Sequence, residues 1–177
     1  MPTDDILEFA DQLGASAPTA VEPEERQLHL VVFSLDREQF AVPIELVREV
    51  VRVTDITRVP HAPEHIRGVM NLRGRILPVL DLRTRLGLEA TELTPRSRVV
   101  VVEIERRVVG LLVDAVAQVT RVGERLVTSP PDEVRAAGQG AITGVARAGE
   151  RLLMLLDAAR LLRNQADNPT SPSGVLC

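Results

Sequence analysis

Residues 66–82 read Ile-Arg-Gly-Val-Met-Asn-Leu-Arg-Gly-Arg-Ile-Leu-Pro-Val-Leu-Asp-Leu, and a weakened copy returns without a gap at 142–158, an offset of 76 residues. Gly68 falls on Gly144, Val69 on Val145, Arg75 on Arg151, Leu77 on Leu153 and Asp81 on Asp157. Upstream, a second run of matches holds at an offset of 69. Val32 falls on Val101, Leu35 on Ile104, Ala41 on Gly110, Ile44 on Val113, Glu45 on Asp114, Val47 on Val116, Val50 on Val119 and Val53 on Val122. The offset grows because the loop around 128–140 is longer in the second copy. One small unit is therefore used twice in 177 residues, and only the first copy carries Asn71-Leu72-Arg73-Gly74. Two copies, one of them specialised, suit a docking scaffold better than a catalyst.

Each unit reads as about five short strands. Leu28 to Ser34 is apolar on both alternating faces, the pattern of a strand buried on both sides. Asp36-Arg37-Glu38 turns it back into 39–44, a hairpin. Val47, Val50, Val51 and Val53 lead to a further strand ending near Pro60. Two more strands, 68–72 and 75–82, meet at the tight Arg73-Gly74 turn, and 84–88 forms one helical turn closed by Gly87. The second unit gives a hairpin from Arg98–Ile104 and Arg107–Val113, an irregular Pro- and Gly-rich loop over 128–140, a strand over 153–156 and a short helix over 158–163. Five short strands bury their Val and Leu side chains best by curling into a small barrel, which also removes the sheet edges. The expected architecture is all-β: two barrels side by side about a pseudo-twofold axis, with a cleft between them as the natural place for a partner. Residues 1–27 are expected to be an acidic, flexible tail, within which Ile6, Phe9, Ala10 and Leu13 recur at helical spacing. Residues 164–177, rich in Pro and Ser, are expected to be disordered.

Charge and composition exclude several functions. Seven acids against one Arg put −6 on residues 1–27, while seventeen acids against twenty Arg leave +3 on 28–163. That balance makes no nucleic-acid footprint, and three Phe with no Trp or Tyr offer little for base stacking. The one cysteine, Cys177, cannot form an internal disulfide and stands too late for a prenylation box. Residues 1–20 lack the cationic start and apolar run of a signal peptide, and no apolar stretch approaches the ~20 residues that span a bilayer. A reducing cytoplasm is the expected compartment.

The candidate sites divide clearly. His61-Ala62-Pro63-Glu64-His65 matches the H-x-x-E-H pattern of a zinc-protease class, but Pro63 pushes Ala62 out of helical geometry. The imidazoles then point apart, and a loop leading into a single helical turn is the expected reading. No G-x-S-x-G elbow or phosphate-cradling loop occurs. Asp81 and Asp157 stand after a strand and before a helix, where a carboxylate caps backbone N–H groups. Paired catalytic carboxylates are the lesser reading. Gly68, Gly74 and Gly144 serve backbone geometry. Arg73 and Asn71 sit on a strand end and turn of one copy alone. The planar fork of Arg73 suits a carboxylate or a backbone carbonyl, though spacing alone favours a solvated turn residue.

In this order and spacing the residues resemble the CheW family of chemotaxis coupling proteins, over about residues 28–162. The most specific part is Gly68-Val69-Met70-Asn71-Leu72-Arg73-Gly74 followed by Pro78-Val79-Leu80-Asp81-Leu82. Val47-Arg48-Glu49-Val50 and Val109-Gly110-Leu111-Leu112-Val113-Asp114 support it. The resemblance implies two interleaved, SH3-like, five-stranded β-barrel subdomains over 28–163, with short helices. It implies no enzymatic activity, no cofactor and no metal. The implied role is an adaptor between the regulatory domain of a CheA-type histidine kinase and the cytoplasmic tips of methyl-accepting chemotaxis receptors. Such an adaptor is cytoplasmic and recruited to membrane-associated receptor arrays, with no direct membrane insertion and no nucleic acid. The same scaffold role in a non-flagellar pathway, surface motility or gene regulation, is the alternative. By the resemblance Arg73 is the coupling residue, Glu49 lies close to it and to the receptor groove, and Val47 and Asn71 belong to the same surface. The absence of a receiver domain argues against the longer CheV-type relatives.

Overall fold

The computed structural model describes residues 25–166, so the bulk of the acidic tail and all but the first residues of the C-terminal tail lie outside the described residues. Twelve strands run in the order β1 (Gln27–Leu35), β2 (Glu38–Pro43), β3 (Val47–Arg52), β4 (Ile56–Thr57), β5 (Ile66–Leu72), β6 (Arg75–Asp81), β7 (Arg98–Ile104), β8 (Arg107–Val113), β9 (Ala115–Gly123), β10 (Val127–Thr128), β11 (Ile142–Ala148) and β12 (Arg151–Leu156). Three short helices accompany them: α1 (Leu82–Arg85), α2 (Asp132–Ala137) and α3 (Ala158–Ala166). The two-residue strands β4 and β10 raise the number of strands per unit from the expected five to six.

The units exchange their hairpins. One sheet has the order β10-β11-β12-β2-β1-β9, the other β3-β7-β8-β6-β5-β4. The first hairpin thus joins the last four strands as barrel I, and the second hairpin joins β3–β6 as barrel II. The exchanged hairpins are attached through parallel pairs, β12 with β2 and β6 with β8. Each sheet must curl. Its two edge strands are successive in the chain, β3 and β4 joined by residues 53–55, β9 and β10 by Glu124–Leu126. A three-residue link reaches at most about 14 Å, whereas six flat strands would separate the edges by about 24 Å.

The exchange explains why β1 and β7 are apolar on both faces. Leu30 and Val32 fill the interior of barrel I with Ala41, Val122, Ala146, Leu153 and Leu155. Val99 and Val101 fill barrel II with Met70, Leu77, Val79 and Leu112. The alternate residues, Val31, Phe33 and Leu35 on β1 and Val100, Val102 and Ile104 on β7, meet in a third cluster that draws on both barrels. Phe33 and Phe40 stack there with ring centroids 6.4 Å apart. Much of the space between the barrels, where a cleft is expected from sequence, is filled by this central hydrophobic core, because the hairpin strands must bury their second apolar face against something.

Asp81 accepts hydrogen bonds from the backbone N–H groups of Arg83 (3.0 Å) and Thr84 (3.4 Å) at the start of α1. Asp157 accepts one from Arg160 N–H (3.2 Å) at the start of α3. Capping by Asp81 starts α1 two residues before the helical turn expected from sequence, and α3 continues to Ala166, past the expected boundary at 163. The supposedly irregular loop contains α2, which begins after Pro131 with Asp132 and Glu133 in its first turn. A proline at a helix entrance and acids near its positive end favour such a start.

Arg83 ties the exchange together. Its Nε donates to Asp114 Oδ1 (2.7 Å) and its Nη2 to Oδ2, while the backbone N–H of Asp36 donates to Asp114 Oδ2 (2.7 Å). One carboxylate between β8 and β9 thus holds α1 and the β1–β2 turn. Burial would raise the Asp114 pKa, but the bonds from Arg83 and from Asp36 N–H outweigh it and hold the carboxyl below its ordinary value. A depressed carboxylate stabilises the fold fully above the unfolded-state carboxylate range and loses that contribution as pH falls through the folded value. Asp114→Asn is therefore expected to cost about 1.5–3 kcal/mol at pH 7. The gap from the parent should close at acid pH, as read from urea midpoints across a pH series.

Candidate partner-binding site

A groove of about 500 Å³ opens at the mouth of barrel II. Leu72, Leu77 and Val101, which pack in or against the barrel's inner core, supply its apolar lining. Arg48, Glu49, Arg73, Arg75, Glu103 and Arg106 supply charge, and Ile76 and Val108 stand exposed beside them. Four Arg against two Glu leave a formal +2.

The β5–β6 hairpin presents Arg73. Its two-residue turn has positive φ at both positions, 51° at Arg73 and 82° at Gly74, the signature of a type I′ turn, whose twist matches the flanking strands. Asn71 Oδ1 accepts a hydrogen bond from Gly74 N–H at 2.8 Å and locks this turn. Arg73 then forms a bidentate pair with Glu49, Nη1 to Oε1 at 3.2 Å and Nη2 to Oε2 at 2.8 Å. Its side chain is still 76% exposed, so the pair adds at most about 1 kcal/mol to stability. What it does is hold a planar cation at the groove edge with its outer face open to solvent. Arg48 also pairs with Glu103, through Nη2 and Oε2.

Glu49 reaches this groove because β3 is bulged. Val47 pairs with Val102, but Glu49 pairs with Val101, leaving Arg48 as the extra residue. A bulge re-aims the side chains that follow it. Val47 consequently packs against the central core and does not line the groove, while Glu49 lines the groove with Val101. Of the four residues grouped from sequence, Arg73 and Glu49 meet directly, Asn71 acts through the turn, and Val47 faces elsewhere.

Gly68 lies at the bulge where β5 meets β6 and β4 crosses. Its φ is +147°, and a Cβ would stand 2.2 Å from the carbonyl oxygen of Thr57. At Gly144 a Cβ would meet Val127 Cγ1 at 2.6 Å and Leu155 Cδ1 at 3.0 Å. His61 and His65 do not converge: His61 is exposed with φ 63°, and His65 is partly buried. Among the described residues no three metal-ligating side chains come together, and no helix is long and apolar enough to cross a membrane.

Sequence reasoning missed Arg48, Ile76, Glu103 and Val108, although the repeat held a signal for them. At the positions of barrel I equivalent to Arg48, Glu49, Arg73 and Glu103 stand Ala117, Gln118, Gly149 and Ser34. The apolar counterpart of Ile76 survives as the exposed Leu152. The two Arg–Glu pairs are thus confined to one barrel, while Arg75 and Arg106 keep basic counterparts in Arg151 and Arg37.

The CheW-like domain model matches residues 29–166. The chain is 38% identical over 128 residues to Chemotaxis protein CheW of Rhizobium meliloti (strain 1021), covering 72% of this chain and 83% of that protein. It is 32% identical over 126 residues to Protein FrzA of Myxococcus xanthus, covering 71% and 79%. The crystal structure of the scaffolding protein TtCheW from Thermoanaerobacter tengcongensis matches with a TM-score of 0.71 at 35% identity, over 77% of this chain and 92% of that one. With two SH3-like barrels, a family match across nearly every described residue and relatives above 30% identity, the chain belongs to the CheW-like family of scaffold proteins.

Proposed function

We propose that the protein is a non-catalytic cytoplasmic adaptor, recruited to membrane-associated receptor arrays, that couples methyl-accepting chemotaxis receptors to a CheA-type histidine kinase. The observation that carries this reading is the asymmetry of the two barrels. One mouth holds a bidentate Arg73–Glu49 pair beside exposed Ile76 and Val108, and the positions equivalent to that pair in the other barrel are Gln118 and Gly149. An apolar lining with a net-positive rim fits an amphipathic helix whose apolar stripe is flanked by acids, as a receptor tip would present it. Apolar burial supplies affinity, and Arg73 fixes register through its fork. The kinase regulatory domain occupies a different surface, so that both partners are held at once.

Calorimetric titration with the regulatory domain of the cognate kinase, followed by a receptor-tip fragment, tests this. One-to-one kinase binding and a ternary complex are expected. Arg73→Glu should weaken the receptor step at least tenfold, by 1.4 kcal/mol or more, and leave the kinase step and the unfolding midpoint nearly unchanged. Equal receptor affinity in the variant contradicts the site. The inclusion of Protein FrzA among the relatives, a protein not named for chemotaxis, favours keeping a second reading, the same scaffold role in a non-flagellar pathway. The cognate kinase and receptors that bind in the titration decide between them.

A further inference from the structure

At the seam between the barrels, on the far side of α1 from the Asp114 clamp, the first repeat has acquired a polar pair. Arg85 is the counterpart of Leu161, and His65 of Ala141, both at the offset of 76. The second copy is apolar and buried at both positions, while Arg85 is itself only 3% exposed.

A guanidinium has five N–H donors. Arg85 Nε donates to the carbonyl of Leu161 (3.3 Å), Nη1 to Gln139 Oε1 (2.7 Å) and Nη2 to the carbonyl of Arg160 (3.5 Å). All three acceptors are neutral, two donors remain, and among the described residues no carboxylate pairs with Arg85. A buried cation without a counter-charge carries a heavy desolvation penalty. Beside it lies a pocket of about 230 Å³ lined by Glu64, His65, Thr84, Arg85 and Gln139, several times the ~30 Å³ share of one water. His65 Nε2, in the same wall, is enclosed and has no hydrogen-bond partner. Burial, and then the nearby Arg85 charge, hold the His65 pKa below its ordinary value.

We infer that this seam pocket is a binding site for a small oxyanion, a phosphate or a carboxylate, held by the unused N–H donors of Arg85. The bound anion supplies the missing counter-charge between α1 and the second repeat. Glu64, exposed at the rim, opposes it and sets a modest affinity.

The test is thermal unfolding of the full chain at pH 7 in inorganic phosphate, in acetate and in chloride of matched ionic strength. The phosphate and acetate arms separate the two anion classes. At about 50 mM of the preferred anion the unfolding temperature should rise by about 3–6 °C over chloride. Arg85→Leu, which copies the second repeat, should abolish the rise, and Glu64→Gln should preserve or enlarge it. The His65 imidazole NMR signals should shift with the same anion in the parent and in Glu64→Gln, a readout that does not depend on Arg85→Leu folding. No rise in either anion, which would mean that the pocket holds water alone, overturns the inference. So does an undiminished rise in Arg85→Leu, or loss of the response in Glu64→Gln, the mark of a cation site.

Discussion

Gly68→Ala is expected to destabilise the protein by about 3 kcal/mol or more, a very large effect for one added methyl group. Two costs coincide. The φ of +147° is territory that only glycine occupies without strain, and the new Cβ would stand 2.2 Å from the carbonyl oxygen of Thr57. That oxygen is backbone, held by the pairing of Thr57 with Val69, so relief means separating β4 from β5. The repeat provides an internal comparison. At Gly144 the φ is not in the left-handed range and the obstructing atoms belong to the side chains of Val127 and Leu155, which can rotate away. Gly144→Ala should therefore cost only about 1–2 kcal/mol. Urea midpoints of both variants, followed by circular dichroism because the chain has no Trp or Tyr, check the ranking. Equal losses would mean that the close approach of β4 does not govern this position.

Phe33→Ala is expected to cost about 3–5 kcal/mol and to do so for both barrels together. Phe33 is fully buried, stacks on Phe40 and belongs to the cluster that draws on both sheets. With the hairpins exchanged, neither barrel is closed by its own repeat, so the chain should unfold in one cooperative transition that the substitution shifts as a whole. Differential scanning calorimetry reads this directly. A thermogram that splits into two transitions, with only one moved by Phe33→Ala, would show that the barrels are energetically separate units.

The fold was largely legible because its signals are local. Runs of Val and Leu mark β7 and β8 with their observed bounds, the Arg73-Gly74 turn is a recognisable hairpin signal, and the offset of 76 pairs β5 and β6 with β11 and β12. Which sheet each hairpin joins is a non-local fact. The doubly apolar face of β1 was visible, yet not that its second face helps fill the space between the barrels, because nothing local says what that face packs against. Val47 was grouped with Glu49 by the resemblance alone. The extra residue Arg48 turns the two side chains to different faces, and a bulge leaves little trace in a run such as Val-Arg-Glu-Val. The Arg83–Asp114 clamp joins residues 31 positions apart, and Arg85 and His65 stand out only when the two repeats are compared position by position.

The central claim is that one barrel mouth, and not its pseudo-symmetric twin, receives the receptor. Methyl NMR of the Ile, Leu and Val side chains during titration with a receptor-tip fragment tests it most directly, because the twin barrel is a built-in control. The account predicts that the methyl signals of Ile76 and Val108 move and saturate while those of Leu152 and Val119 stay in place. Shifts of Leu152 and Val119 with Ile76 and Val108 unmoved would contradict it and place the docking surface on barrel I.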